Sequence, residues 1–363
     1  MLSDFLCNVD NEYEQESKAF ADGSYGNIYK GKRIKDDLQV AIKVLKSKKL
    51  SEDIEEQKHF IREVNILANL NHPFCLRLVN FSFLPEPKIV TPFMPNGTLD
   101  DLLKSNDPTK FTPTEKMCSI YALCSTMDLL HQAGIIHRDL KPANIFITDD
   151  KDICIADFGS ARKVQKNVDL TVSPLVTPLH AAPEAIFGEE YTNMIDVYSF
   201  GVIYYQYFNH SPNFPKGVKA KTAYDFVDKI RNGTRFIRPP EMNDFQWSIY
   251  ENCTQTNESI RPKFHDLEEI FEKNESSWFT NVDREKYMKY ISRCKEIKKE
   301  CIKNNDLYLN LQNDIPSGPI SNTYCVIPPP RKKQQSIKRT ISSPIRFSHK
   351  HYDDDDDESG DDT

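Results

Sequence analysis

One run constrains the fold of this chain more than any other: His137-Arg138-Asp139-Leu140-Lys141-Pro142-Ala143-Asn144, followed by Asp157-Phe158-Gly159. Asp139 and Asn144 lie five residues apart on a loop, and Asp157 lies eighteen beyond Asp139. Between them the pattern is a short hairpin, 145–148 and 153–156, turned by Asp149-Asp150-Lys151-Asp152. Such a hairpin brings three oxygen donors around one pocket. Two carboxylates and an amide suit a hard cation such as Mg2+, which keeps several waters and takes its other ligands from phosphates.

The surrounding pattern is α+β. Residues 17–45 alternate in strand-like runs broken by glycine, and 53–70 switch to helical spacing with Phe60, Val64 and Leu67 on one face. Two further strand candidates, 76–83 and 88–93, are punctuated by Pro85 and Pro87. Thr112-Pro113-Thr114-Glu115 carries an N-cap, a first-turn proline and a capping-box acid, and predicts a long helix over 113–133. The uncharged stretch Val197 to Phe208 has the length of a buried core helix and falls short of a bilayer span. Residues 192–273 are mostly helical, and 282–304 form one more charged helix.

Upstream, three residues or pairs offer chemistry, each beside a plainer reading. Gly23 and Gly26 sit in a strand-turn-strand, where backbone N–H groups can approach a phosphate without a Cβ in the way. A hairpin turn alone would also need them. Lys43 shares a strand face with Ala41, away from Val40, Ile42 and Val44. A solvated or edge lysine has the same pattern. Glu63 falls on the apolar stripe of the 53–70 helix, where a buried carboxylate needs a cation, and Lys43 is the obvious one. A stripe-edge glutamate reaching water is the alternative.

Taken in order, these motifs resemble the eukaryotic protein kinase domain over residues 17–273, about 70% of the chain. The matches are the glycine loop, Val40-Ala41-Ile42-Lys43, His137-Arg138-Asp139-Leu140, Asp157-Phe158-Gly159, Ala182-Pro183-Glu184, Asp196-Val197-Tyr198-Ser199-Phe200-Gly201 and Arg261-Pro262. The resemblance implies a bilobal fold, a small β-rich N-lobe with one key helix (17–94) and a larger, mainly helical C-lobe (95–273); beyond it the residues themselves predict a helical extension (274–312) and a tail (313–363), basic then acidic, too poor in apolar residues to fold. It also implies a protein kinase that uses ATP and Mg2+ and acts on serine and threonine hydroxyls of protein substrates.

Carried over by position, Gly23 and Gly26 would cover the phosphates, while Ile28 and Ala41 sandwich adenine. Lys43 would hold the α- and β-phosphates and pair with Glu63. Thr91 falls at the gatekeeper position, Met94 at the hinge, and Thr98 within reach of the ribose. Asp139 would accept the substrate proton, Lys141 would neutralise the γ-phosphoryl, and Asn144 and Asp157 would hold Mg2+. Leu67, Leu78, His137 and Phe158 resemble the spine joining the lobes, Glu184 and Arg261 an anchoring ion pair, and Asp196 a clamp on the catalytic loop. Two departures stand out: Ala21 replaces the first loop glycine, and His180 stands where a bulky aromatic is usual. Lys141-Pro142 resembles the serine/threonine kinases, while Met94-Pro95-Asn96-Gly97-Thr98-Leu99 and Arg261-Pro262-Lys263-Phe264 lean toward their tyrosine-kinase-like branch. Arg138 beside the catalytic Asp implies an activation segment ordered by phosphorylation at Thr171 or Ser173, with Thr177 the poorer site.

Charge and cysteine usage bound the rest. The net charge is −7, but residues 353–362 carry eight acids and no base, leaving 46 acids against 47 bases. The near-neutral body argues against a nucleic-acid-coating protein. Residues 331–350 hold seven Lys/Arg and no acid, a patch that the adjacent acids compete for in cis. A binding module built on that tail, and a catalytically dead scaffold, are the rival readings. The tail segment Lys338 to Pro344 is itself a candidate phosphorylation site. Nine scattered cysteines without a CxxC pair, and an N-terminus lacking a leader pattern, point to a cytosolic or nuclear compartment with reduced thiols. The oligomeric state has no signature.

Overall fold

The computed structural model describes residues 2–23, 26–45, 54–83, 86–105, 107, 109–163, 178–209, 218 and 220–304. A helical turn α1 (Val9–Glu12) and strand β1 (Tyr13–Gln15) lead into β2 (Ala21–Gly23), β3 (Gly26–Arg33) and β4 (Gln39–Leu45). Helix α2 (Ile54–Asn69), β5 (Asn80–Ser82) and β6 (Lys88–Pro92) complete the upper lobe. The sheet runs β1-β3-β4-β6-β5, antiparallel throughout, with β2 hairpinned onto β3.

Alternation along β4 sets the two faces. Val40 and Ile42 are fully buried on the back with Val9, Tyr13 and Val90, while Leu45 packs with Phe60, Val64, Leu67 and Ile89 under α2. Lys43 shares the α2 face. Because β4 is central, the edge-strand reading of Lys43 fails.

Residues 2–15, which precede the expected boundary at 17, are part of this lobe. β1 pairs with β3 at one edge, and at the other Leu6 bridges Phe81, with Cys7 N–H donating to the Phe81 carbonyl at 3.1 Å. Asp10 pairs with the buried Lys88 between them. Only Val9 and Tyr13 are fully buried in this stretch, so its hydrophobic pattern is too thin to read from sequence.

Gly26 has a packing reason to be glycine. A Cβ there would stand 2.2 Å from the Val44 carbonyl oxygen, on the opposed backbone of β4. Gly26→Ala is expected to force the strands apart and cost about 1–3 kcal/mol, read as a lower denaturation midpoint.

The lower lobe comprises α3 (Leu99–Ser105), α4 (Pro113–Gln132), short strands β7 (Ile135–Ile136), β8 (Ile145–Ile147), β9 (Ile153–Ile155) and β10 (Arg162–Lys163), then α5 (Pro183–Ile186), α6 (Met194–Asn209), α7 (Ala223–Arg231), α8 (Asp244–Cys253), α9 (Phe264–Lys273) and α10 (Arg284–Asn304). The predicted capping box forms: Glu115 N–H donates to Thr112 Oγ1 at 3.3 Å, and Thr112 N–H to Glu115 Oε2 at 2.7 Å. Every residue from Ile195 to Phe208 is buried, as the apolar run requires. Of the strand expected over 76–83, only Asn80–Ser82 joins the sheet. Residues 74–76 instead hydrogen-bond to β9, with Ile155 N–H on the Phe74 carbonyl and Leu76 N–H on the Ile155 carbonyl, both 2.8 Å. The tail expected over 313–363 lies outside the described residues.

Candidate active site

Lys43 reaches across from β4 to α2 and donates to both Glu63 oxygens, at 2.9 and 2.8 Å. The two side chains are 16% and 10% exposed, so the pair is shielded from water. Burial pushes the Glu63 carboxyl up, the Lys43 ammonium opposes this, and the charge of Asp157 adds to the rise.

The catalytic loop is held from below. Asp196, on α6 and fully buried, accepts from the N–H groups of His137 (2.8 Å) and Arg138 (2.9 Å) and contacts His131 Nε2 at 3.0 Å. Burial disfavours its charge, but the hydrogen bond from His131, the nearby histidines and the backbone donors outweigh that and hold the carboxyl below its usual range. This is why one acid sits in so apolar a helix. The clamp also holds Arg138 at φ 71°, a left-handed conformation costly for a side chain.

Above the clamp, His137 Nε2 donates to the Ala156 carbonyl at 3.0 Å, which leaves Nδ1 to accept the Asp139 N–H at 3.4 Å. Lys141 Nζ lies 2.8 Å from Asp139 Oδ2. The Asn144 amide nitrogen donates to the Asp139 carbonyl (2.8 Å) and to Oδ2 (3.1 Å), so Oδ1 is the atom it offers a cation. Asp157 takes a left-handed conformation, φ 62° and ψ 61°. Burial raises the Asp139 carboxyl, Lys141 counteracts, and Asp157 adds a like charge. The structure thus brings Lys43, Glu63, Asp139, Lys141, Asn144 and Asp157 to one inter-lobe site.

The other predicted positions lie on the glycine hairpin, on the central strands and in the turn after β6. Ile28 stands opposite Lys43 across β3–β4, and Ala41 stands between Lys30 and Thr91. Met94 packs partly buried against the main core. Gly23 pairs with Gly26 at the base of the glycine hairpin, whose tip, Ser24 and Tyr25, lies outside the described residues. The Thr98 N–H and hydroxyl donate to Asp101 Oδ2 at 2.9 and 2.7 Å. Among the spine residues, His137 and Phe158 pack ring to ring at 5.0 Å, and Leu67 and Leu78 are buried in the same cluster. Arg261 grips Glu184 through two nitrogens, at 2.5 and 3.1 Å. His180 is buried against Gln206 (2.8 Å), and burial drops its pKa to about 4. Thr171, Ser173 and Thr177 lie outside the described residues, and Arg138 stacks on Tyr191.

Sequence reasoning missed three neighbours. His59, one turn before Glu63, and Arg62 bond to the Gly159 carbonyl at 2.7 and 3.3 Å, tying α2 to the Asp157 segment. The i, i+4 spacing of His59 and Glu63 was a readable signal. Phe20, 48% exposed, meets Phe93 edge-on beside Lys30, a contact between distant residues with no sequence signature.

A curled sheet over a helical lobe, with a lysine–glutamate pair above and an Asp-Lys-Asn loop below, is the architecture of the protein kinases. The chain belongs to that family: the model of the protein kinase domain matches residues 15–303. It is similar to the serine/threonine-protein kinase STY46 of Arabidopsis thaliana, with 32% identity over 68% of this chain and 42% of the relative. It is also similar to the dual specificity protein kinase shkE of Dictyostelium discoideum (30% identity; 70% of this chain, 36% of the relative). The tyrosine-protein kinase transforming protein Abl of Abelson murine leukemia virus matches at 27% identity over 72% of this chain and 35% of the relative. The chain therefore spans less than half the length of each. No helix among the described residues is long and apolar enough to cross a membrane.

Proposed function

We propose that the protein transfers the γ-phosphoryl group of Mg·ATP to serine and threonine hydroxyls of protein substrates, as a member of the tyrosine-kinase-like branch. The observation that carries the reading is the Asp139–Lys141–Asn144 cluster facing the Lys43–Glu63 pair across Asp157. Asp139 orients the substrate hydroxyl and accepts its proton, and Lys141 offsets charge on the transferred group. Glu63 holds Lys43 extended toward the α- and β-phosphates. Gly23 and Gly26 cover them, Ile28 and Ala41 enclose adenine, and Thr91, Met94 and Thr98 line the hinge and ribose side. Asn144 Oδ1 and the Asp157 carboxylate fit a hard cation, which when bound would neutralise phosphate charge.

Lys141-Pro142 supports serine/threonine specificity, as does the likeness to STY46, whereas the likeness to Abl gives tyrosine a specific claim. A peptide array phosphorylated with Mg·ATP, followed by phosphoamino-acid analysis, decides between them. Phosphoserine and phosphothreonine are expected; phosphotyrosine alone would reverse the specificity, and no transfer at all would sink the reading. Cysteines without CxxC spacing suit a reducing compartment, cytosolic or nuclear.

A further inference from the structure

Helix α10 follows the last motif of the domain and carries none of the chemistry above, yet polar side chains along it reach the framework of the site. Asp152 closes the β8–β9 turn and is only 7% exposed. Arg293 donates to both its oxygens, at 3.2 and 2.7 Å, and the Tyr290 hydroxyl donates to Oδ1 at 2.8 Å. The same two side chains cover Phe74: Tyr290 stacks on its ring at 6.4 Å, and the Arg293 guanidinium lies 5.8 Å above it. Five residues after Arg293, Lys298 fills the space between Asp128 and Glu268, at 2.6 and 2.9 Å. Those two carboxylates converge with His265 closely enough for a metal, and the ammonium occupies that place instead.

Asp152 and Phe74 both lead into the site. Asp152 immediately precedes the strand Ile153–Ile155, which leads through Ala156 into Asp157. Phe74 lies in the connection between α2 and β5, and its carbonyl accepts the Ile155 N–H at 2.8 Å while Leu76 N–H returns to the Ile155 carbonyl. Ala156 in turn is fixed by Asn144 and His137. Arg293 and Tyr290 thus grip, at one point, the segment that delivers Asp157 and the connection that ends the helix bearing Glu63.

We propose that α10 is a positioning element of the active site, acting through Arg293 and Tyr290 on Asp152 and Phe74. The inference rests on the reading of Asp157 and Glu63 given above. Misplacement of reacting groups by about 1 Å can cost on the order of 100-fold in rate, and loss of a guanidinium fork permits a fraction of that. In the full chain, Arg293→Ala is expected to lower kcat about tenfold at temperatures well below melting, with KM for the peptide unchanged. Arg293→Lys, which keeps the charge but not the fork, should recover part of the loss. Hydrogen exchange gives a readout independent of activity: the amides of Leu76 and Ile155 should exchange faster in Arg293→Ala. If that variant does not fold, Tyr290→Phe, which keeps the stacked ring and removes one hydrogen bond, should show the same pattern more weakly. Unchanged exchange at both amides overturns the coupling. Faster exchange with unchanged kcat reduces α10 to a stability element and overturns it equally. Absence of transfer by the unmutated chain overturns the reading of the site instead, and the two failures are distinct.

Discussion

Asp139→Asn is expected to lower phosphoryl transfer by about 10^2- to 10^4-fold, the usual range for removing a positioned base, while Mg·ATP binds almost as before. The substitution is nearly isosteric, so the loop geometry set by Asp196 should survive it. The retained Oδ1 can still orient a hydroxyl, but the amide cannot accept its proton. Lys141 also loses its anionic partner at 2.8 Å, and charge on the transferred group is then neutralised less well. Single-turnover phosphorylation beside equilibrium nucleotide binding separates the two effects. Near-normal turnover would remove Asp139 from the chemistry; lost nucleotide binding would place it in the nucleotide pocket.

Lys43→Met should damage both activity and the fold. It removes the Lys43 ammonium from Glu63 and leaves a shielded carboxylate, a change that typically costs about 3–5 kcal/mol. The pH dependence follows from the direction of the Glu63 shift. Its carboxyl is raised in the folded protein by burial and by Asp157, and losing Lys43 raises it further. A group that binds its proton more tightly when folded supports stability at low pH and loses that support as pH rises through its folded value. The Lys43→Met variant should therefore be hurt more near about pH 8 than near about pH 5. Adding Glu63→Gln should restore much of the melting temperature and none of the activity, since the phosphate-binding ammonium is still missing. Equal destabilisation at both pH values would show that Glu63 is not the group left stranded.

What the sequence made legible was whatever has a period or an obligatory partner. The capping box at Thr112 and Glu115 is complete within four residues, and the α6 run is long enough to admit one reading. Glu63 on an apolar stripe demanded a cation, and Lys43 supplied it. The bond from the Thr98 hydroxyl to Asp101, three residues on, is a local turn contact that the motif itself does not announce. Phe20 on Phe93, Tyr290 on Phe74 and Arg293 on Asp152 join residues tens to hundreds of positions apart, and no spacing rule encodes them. The strand over 76–83 is cut short for a similar reason: residues 74–76 give their backbone groups to β9, in the other lobe.

The segment Leu2 to Gln15, which meets both edges of the sheet, has a consequence for the order of events during synthesis. Val9 and Tyr13 find their core only when Val40, Ile42 and Val90 are in place, and Leu6 needs Phe81. At roughly 5–20 residues per second, Val9 emerges roughly 4–16 s before Val90 can follow it out of the ribosome. For that interval Leu6 lacks its Phe81 bridge and Val9 its Val90 neighbour, although Tyr13 to Gln15 can already pair with Gly31 to Arg33. The segment's composition suits the wait: Asp4, Asp10, Glu12, Glu14 and Glu16 surround the two apolar groups with like charge, which keeps the nascent segment hydrated and discourages pairing between neighbouring chains. The acids that obscure this segment as a core element are thus the ones that keep it hydrated until its last neighbours emerge.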